Sequence, residues 1–484
     1  MKTFGRLSFR LAPHSLFVFL ISLSPLLLVS PSVVLAQWEP DVRLTFNDSS
    51  SVTSASNSRS IAAGPGNLVH VVWQDTRAGR WEIYYKCSSD AGVTWSQDIR
   101  LTQSQGFSYT PSVTVLDSIV HVVWTYYSSS EPYEIYYMRS SDGGLTWSSM
   151  MRLTNNIYGS FEPSVAAFGS NVYLVWRDAR DSGNNEIYYK RSSDQGRTWD
   201  SMDTRLTYAT STSWCPAVEA SGFFVHVVWW DSRTGRWEVY YKRSSDGGVS
   251  WGADTCFTND AFDSYRATLA VSDSVVHVVW QDARVGDSKL YYKRSTDSGN
   301  TWSADNRLTI PYAAVAPSLI SPGSMVHLVW HDLRDGNLGE IYYKRSSDNG
   351  TTWSSDVRLT FNPDSSHSPS AAVAGPIVHV VWYDRRDGNR EIYYKRNLTG
   401  SGTYEWRGSD LTIPDWKFNP IPNPFTFFAT LPGHEAERFA LYDISGRKIG
   451  IYKGDRIGEG LSAGVYFLRP EGKDAKPLRV VKVR

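Results

Sequence analysis

His70-Val71-Val72-Trp73 is followed, after a short turn, by Glu82-Ile83-Tyr84-Tyr85-Lys86, and variants of this pair of phrases return six more times. The first phrase ends at Trp73, Trp124, Trp176, Trp229, Trp280, Trp330 and Trp382; the tyrosine pair begins at Tyr84, Tyr136, Tyr188, Tyr240, Tyr291, Tyr342 and Tyr393. A third phrase, Arg-Leu-Thr, begins at Arg43, Arg100, Arg152, Arg205, Arg307 and Arg358, with Thr255-Cys256-Phe257-Thr258 as a degenerate copy. Self-similarity at a period of about fifty residues marks a repeat architecture. Each unit reads as four short strands: a Pro-Ser-Val stretch such as Pro111 to Val115, then the two quoted phrases, then Arg-Leu-Thr. β-branched and aromatic residues fill them, and Gly- and Asp-rich turns separate them. No window carries a 3.6-residue apolar period. The expectation is an all-β fold, a seven-bladed β-propeller.

The order of the phrases predicts how such a ring closes. The Arg-Leu-Thr at Arg43 precedes every other marker, whereas the seventh unit passes Tyr393-Tyr394-Lys395 and has none of its own. Residues around Val42 to Phe46 are therefore expected to supply the outer strand of the last blade. Joining distant chain ends is thermodynamically tolerable because closure cost rises only logarithmically with length.

The N-terminal 36 residues read as a signal peptide. Lys2, Arg6 and Arg10 precede an apolar run from Leu16 to Val29, and Val34-Leu35-Ala36 supplies a small-residue cleavage pattern. A membrane anchor is the alternative, but the run is shorter than the ~20 residues that span a bilayer. No transmembrane segment is expected in the mature chain, which is read as secreted or displayed at the cell surface. Acidic and basic residues number 49 each, and the presequence removes three bases and no acid. That balance gives no field to attract nucleic acid. Cys87, Cys215 and Cys256 show no paired spacing and read as free thiols.

Between the third and fourth strands lies Ser88-Ser89-Asp90-Ala91-Gly92-Val93-Thr94-Trp95, repeated at Ser140 to Trp147, Ser192 to Trp199, Ser244 to Trp251, Ser295 to Trp302 and Ser346 to Trp353. The seventh unit has Asn397-Leu398-Thr399-Gly400 instead. This octapeptide resembles the Asp-box, or BNR, repeat of the sialidase-like propeller superfamily, over residues from about 41 to 397. Its physics is that of a turn: Ser and Asp bond turn amides, Gly admits a positive φ, and Trp folds back as an apolar plug. The resemblance implies that these boxes lie on the face opposite the ligand site.

The propeller is assigned to residues 37–400, a linker to 401–416 and a small C-terminal β-sandwich to 417–484. In the last, Pro422-Asn423-Pro424-Phe425, Leu441 to Arg447, Leu461 to Phe467 and Val480 to Arg484 look like the C-terminal sorting domain of the type IX secretion system. The resemblance implies the type IX machinery as a partner; the bland alternative is an accessory sandwich with no export role.

Candidate ligand residues come from departures within the repeat. Two positions before the inner-strand Pro stand Tyr109, Phe161, Trp214, Tyr265 and His367, with Asn57 and Val315 in the first and sixth units. In a propeller these ring the channel mouth, where aromatic faces suit sugar rings; packing between blades is the alternative. The repeated Trp-x-Asp-x-Arg turns (Asp75 and Arg77 first) and the following Glu read as local ion-pair networks. The second unit lacks that motif and has Thr125-Tyr126-Tyr127-Ser128, then Glu131 and Tyr133. His70, His121, His226, His277, His327 and His379 share one repeat position, too dispersed for one metal shell. No metal and no cofactor is expected.

Three functions follow. The first is recognition of an extracellular glycan or protein at the channel mouth. The second, implied by the family resemblance, is a sialidase-like glycoside hydrolase, with Tyr126, Tyr127 and Glu131 as candidates for a nucleophile pair and Arg59 and Arg266 as non-repeat arginines. Against it, Arg59-Ser60-Ile61 lacks the family's Arg-Ile-Pro, and seven units exceed the six blades of sialidases. The third is a structural or adhesive surface protein.

Overall fold

The computed structural model describes residues 38–54, 58–259, 261–310, 312–336, 339–398, 430, 437–442, 448–462, 464–470 and 478–482. The expected signal peptide, the linker and Pro422 to Phe425 lie outside the described residues. Those described form strands and turns and no helix. The chain divides into two compact units, Leu35–Glu405 and one that holds Trp406–Arg484.

In the larger unit the repeats fold into antiparallel sheets that resemble propeller blades. The second is representative, with strands Phe107–Leu116, Ile119–Ser128, Glu131–Ser140 and Met151–Arg152 side by side in chain order. In the first, two short pieces, Ser51–Val52 and Ile61–Ala63, both pair with Val69–Asp75. The strand order Ser366–Ala374, Ile377–Asp384, Glu391–Asn397 is completed by Val42–Arg43, with Val42 opposite Tyr394 and Arg43 opposite Tyr393. Innermost strands touch in a closed cycle, from Ile61–Ala63 through Phe107–Leu116, Ser160–Phe168, Ser213–Ser221, Ser264–Ser272, Ala314–Ile320 and Ser366–Ala374, back to Ile61–Ala63.

The core lies between sheets. Along Ile119–Ser128, Trp124 packs with Tyr85 of the preceding sheet while Val123 packs with Trp176 of the next. Burial on both faces explains why the phrase is continuously apolar instead of alternating. Each Asp-box then clamps its neighbour. Ser88 Oγ accepts from the Gly92 amide (2.8 Å) and donates to Asp90, and Asp90 accepts from Thr94 N and Oγ1. These bonds, that from the Thr94 hydroxyl foremost, hold Asp90 down at about 2. Gly144, at φ 93°, abuts the Tyr85 hydroxyl so closely that a side chain there collides with it. The box tryptophan meets a tyrosine of the preceding sheet edge-on: Trp147 on Tyr85, Trp199 on Tyr137, Trp251 on Tyr189, Trp302 on Tyr241, Trp353 on Tyr292 and Trp95 on Tyr394, with centroids 4.8–5.2 Å apart.

The seventh unit has no box tryptophan, yet Tyr343 is covered: Trp38 lies 4.9 Å from it at 76°. The N-terminal segment supplies more than a strand. Trp38-x-x-Asp41-x-Arg43-Leu44-Thr45 has the spacing of Trp95-x-x-Asp98-x-Arg100-Leu101-Thr102. Asp41 takes Arg386 and Lys395 as Asp98 takes Arg77 and Lys86. The expected closing strand began only at Val42; the signal for Trp38 was this spacing.

The repeated histidines are fully buried, and each Nδ1 lies 2.7–2.8 Å from the hydroxyl of Tyr85, Tyr137, Tyr241, Tyr292, Tyr343 or Tyr394. Burial lowers His70 to about 4 and the other five to about 3.

In the smaller unit the described strands form one antiparallel sheet, ordered Lys448–Lys453, Arg438–Tyr442, Gly464–Pro470, Leu478–Lys482, over Phe439, Leu441, Ile457 and Leu468. Of the expected motif, Leu441 and Tyr442 end a strand and 443–447 lies outside the described residues.

Two outcomes are expected. Trp38→Ala lowers the unfolding free energy by about 2–4 kcal/mol in urea titration, somewhat below a fully buried Trp. Phe46→Ala, on a side chain 72% exposed, changes it by no more than about 0.5 kcal/mol. The histidines, neutral when folded, make stability fall with pH. Above their unfolded value of 6.5 nothing is lost; below it the unfolded chain binds protons that the native state refuses, at about 1.4 kcal/mol per pH unit per histidine. Urea midpoints should therefore drop between pH 6.5 and 5, above the carboxylate range, and His277→Gln should flatten that slope.

Candidate functional site

Every inner strand but the first enters its sheet through a bulge. Pairing is interrupted between Tyr109 and Ser112, Phe161 and Ser164, Trp214 and Ala217, Tyr265 and Thr268, Val315 and Ser318, and His367 and Ser370. Within each, a non-glycine residue has positive φ: Thr110, Glu162, Cys215, Arg266, Ala316 and Ser368, at 45–55°. The extra residue re-aims the strand. Ser58, Arg266, Ala316 and Ser368 border a small space between the inner strands. The residue before each bulge instead stands beside the one after the repeated core tryptophan: Tyr109 opposite Thr125, Phe161 opposite Arg177, Trp214 opposite Trp230, Tyr265 opposite Gln281 and His367 opposite Tyr383.

The five sequence candidates are half-buried, and three of them, Phe161, Trp214 and Tyr265, are linked through Arg177 and Trp230, which the sequence pattern did not single out. Tyr127 stacks on Tyr133 (4.6 Å), and Tyr133 on Phe161 (4.8 Å). The Arg177 guanidinium lies between two rings, 4.3 Å from Phe161 and 4.0 Å from Trp214, and pairs with Glu162 at 3.1 Å. Trp214 leads to Trp230 (5.8 Å), and Trp230 to Trp237 (4.5 Å) and Tyr265 (6.1 Å). A continuous row thus crosses the second to fifth sheets. Tyr109 pairs with Phe107, and His367 sits apart between His331 and Tyr383. The second sheet raises part of this row because its strands run to ten residues, carrying Tyr127 and Tyr133 on a taller hairpin.

The first unit departs from the alignment expected of its sequence. Val52, opposite Gln74, holds the register of Tyr109, and Asn57 lies outside the described residues. Thr53 Oγ1 donates to Ser368 O of the adjacent last sheet (2.7 Å), and the chain beyond reaches across the ring: Ser58 Oγ donates to Pro163 O (2.7 Å) and Arg59 pairs with Glu219 at 2.6 Å. Burial pushes the Glu219 carboxyl up, and Arg59 only partly opposes this. Beyond this pair a second cavity of ≈ 210 Å³ opens between Ala63, Val115, Val271 and Val373.

The Trp-x-Asp-x-Arg series is internal scaffolding. Burial alone raises Asp75, but bonds from Arg77, Ser51 and Trp73 outweigh it and hold the carboxylate below its usual value. Arg77 bridges Asp75 and Asp98, and Lys86 reaches Asp98. Arg77, Arg180, Arg233, Arg284, Arg334 and Arg386 each cover a tyrosine at 4.1–4.5 Å. The following Glu clasps the Arg and Thr of Arg-Leu-Thr, as Glu82 does Arg100 and Thr102. In the second sheet the whole network is exchanged at once: Tyr126, Ser128, Met138 and Met150 stand for Asp, Arg, Lys and the loop Asp. The Trp124 indole N–H is left without an acceptor.

The candidate catalytic residues separate. Arg59 and Arg266 both border the axial space, and Arg266 is exposed with no acidic partner among the described residues. Tyr126 is buried edge-on against Tyr136, and Tyr127 belongs to the aromatic row. Glu131 is tied to Arg152 (2.7 Å) and to the Tyr136 hydroxyl. No hydrogen bond or ion pair among the described residues joins Glu131 to Tyr126 or Tyr127. No group of three His, Cys, Asp or Glu among them is arranged to hold a metal. No described helix is long and apolar enough to cross a membrane.

Blade-like sheets with an Asp-box clamp define a propeller-type repeat protein. Residues 35–278, half of the chain, match the family model for the BNR repeat-like domain, and the chain belongs to that family. Xyloglucanase Xgh74A of Acetivibrio thermocellus is 24% identical over 242 residues, 44% of this chain. The match spans 27% of that relative's length. Among solved structures, an ulvan lyase of polysaccharide lyase family PL25 is similar with a TM-score of 0.51 and 13% identity, over 75% of this chain and 96% of its own. The Hadza microbial sialidase Hz136 gives a TM-score of 0.41 and 16% identity, over 68% of this chain and 73% of its own.

The axial ion pair makes a prediction. Arg59→Met strands the Glu219 carboxylate and should cost about 1–3 kcal/mol at pH 7, less than a fully buried pair because both groups keep some exposure. The cost should shrink as the pH is lowered and the raised Glu219 carboxyl takes up a proton, as urea titrations across a descending pH series will read.

Proposed function

We propose that the larger unit is a seven-bladed propeller closed by its N-terminal segment, that it is exported or displayed at the surface, and that it binds an extracellular glycan beside the mouth of its central channel. The observation that carries the reading is the row of half-buried rings from Tyr127 to Tyr265. Rings that stay partly exposed at a solvent-open mouth, with polar neighbours beside them, suit sugar rings. The xyloglucanase likeness supports a carbohydrate over a protein ligand. Tyr109, Phe161, Trp214 and Tyr265 are the proposed contact residues, with His367 on the far side of the mouth. The C-terminal unit, read as a β-sandwich, is the proposed address for type IX secretion.

Recognition is favoured over hydrolysis because the arginines of the repeat are tied within their own sheets. A glycan array on the purified chain should yield a specific set of binders. Trp214→Ala should weaken them by about ten-fold, the loss of one good stacking contact. Binding unchanged in that variant removes the row from the site, and turnover of a fluorogenic sialoside would restore the hydrolase reading.

A further inference from the structure

We propose that the bound ligand is an internal stretch of a polysaccharide laid across the face, and not a chain end inserted on the ring axis. This rests on the glycan-binding reading above and commits it to one mode.

The axis is closed on the side of the row. Ser58 and Arg59 cross it to bond Pro163 and Glu219, joining the first sheet to the third and fourth, and Thr53 bonds Ser368 of the adjacent last sheet beside it. The space left between Ser54, Ser58, Arg59, Arg266 and Ser368 is ≈ 20 Å³. That holds about one water, whereas small-ligand sites enclose roughly 300–1,000 Å³. A terminal sugar read on several of its hydroxyls needs walls around it, and the described residues leave no such depth there.

The row has the opposite shape. Its planes follow one another at 4.0–6.1 Å across four adjacent sheets, from Tyr127 through Phe161, Arg177 and Trp214 to Tyr265. The charge within it is already matched, since Arg177 pairs with Glu162 and bonds Asn185. A row of half-buried rings that runs over four sheets without a terminal stop fits a ligand that repeats, since each added sugar meets another exposed ring margin.

The test is calorimetric titration of the full mature chain with xyloglucan, arabinoxylan and mixed-linkage β-glucan, and with oligosaccharide ladders of one to eight units from each. Affinity should rise about ten-fold or more between two and six units, each extra stacked ring adding its increment. Capping both ends of the hexasaccharide should change it by less than about two-fold. Tyr133→Ala, on the tall hairpin, should weaken the hexasaccharide far more than the disaccharide, and Arg266→Ala should alter neither. A mono- or disaccharide that binds as tightly as the hexasaccharide, or loss of binding on capping the non-reducing end, overturns the proposal and leaves glycan binding intact. Absence of binding to these polymers and across a broad glycan array overturns both. The ladder uses the unaltered chain, so its result holds even if a variant fails to fold.

Discussion

The contact on which this architecture depends is an indole ring set edge-on against the tyrosine of the sheet before it. Each sheet is apolar on both faces, so none is stable alone, and each interface needs a plug at the box face to exclude water. Six plugs belong to Asp-boxes; the seventh is Trp38, from the other end of the repeat array. Without Trp38 the Tyr343 side of the ring stays open, and without Val42–Arg43 beside it Glu391–Asn397 becomes an exposed edge strand. The short N-terminal segment answers both needs, and Asp41 closes the last ion network as well. Closure is thus one eight-residue phrase, cut from the last unit and placed at the start of the chain.

Much of this was legible in the sequence because the repeat writes each constraint several times over. Strand order within each unit and the pairing of Val42–Arg43 with the last sheet follow from the order of three phrases. What escaped was written once or displaced. Trp38 stands outside any complete Asp-box, and only its distance to Asp41 and Arg43 reveals its role. The first unit's extra residues misled the alignment because Arg59-Ser60-Ile61 fixes one end of the register and Ser51-Val52 the other, with the insertion hidden between them. Glu219 and Glu162 look like ordinary strand residues; only the ring brings the first to Arg59 and the second to Arg177.

The candidate site was legible in part, for a related reason. Tyr109, Phe161, Trp214, Tyr265 and His367 were found because they vary at a position where the repeat is otherwise regular. Their partners Arg177 and Trp230 were not, since a residue next to a tryptophan that recurs in every unit reads as strand filler. The second unit's departure offered Tyr126, Tyr127 and Glu131 as candidates for a nucleophile pair; in the structure Tyr126 and Met138 are buried where other sheets hold the Asp and Lys of an ion network. Exchanging all members together avoids an uncompensated buried charge.

One register position shows how a symmetric ring acquires a one-sided face. The bulge residue's amide needs an acceptor, and in several sheets the residue after the core tryptophan of the preceding sheet provides it. Gln74 accepts from Thr110 (2.8 Å), Thr125 from Glu162 (3.2 Å) and Gln281 from Ala316 (3.1 Å). A non-glycine residue at positive φ costs about 1–2 kcal/mol, and such a bond offsets part of it. In the third, fourth and seventh sheets the same position holds Arg177, Trp230 and Tyr383. There the side chain lies against the rings of Phe161 and Trp214, of Trp214 and Tyr265, or of His367. A brace in one sheet is a platform in another, at the same backbone address. The side chains along the rim can therefore change by single substitutions, while the clamps that hold the ring remain on the opposite ends of the same strands.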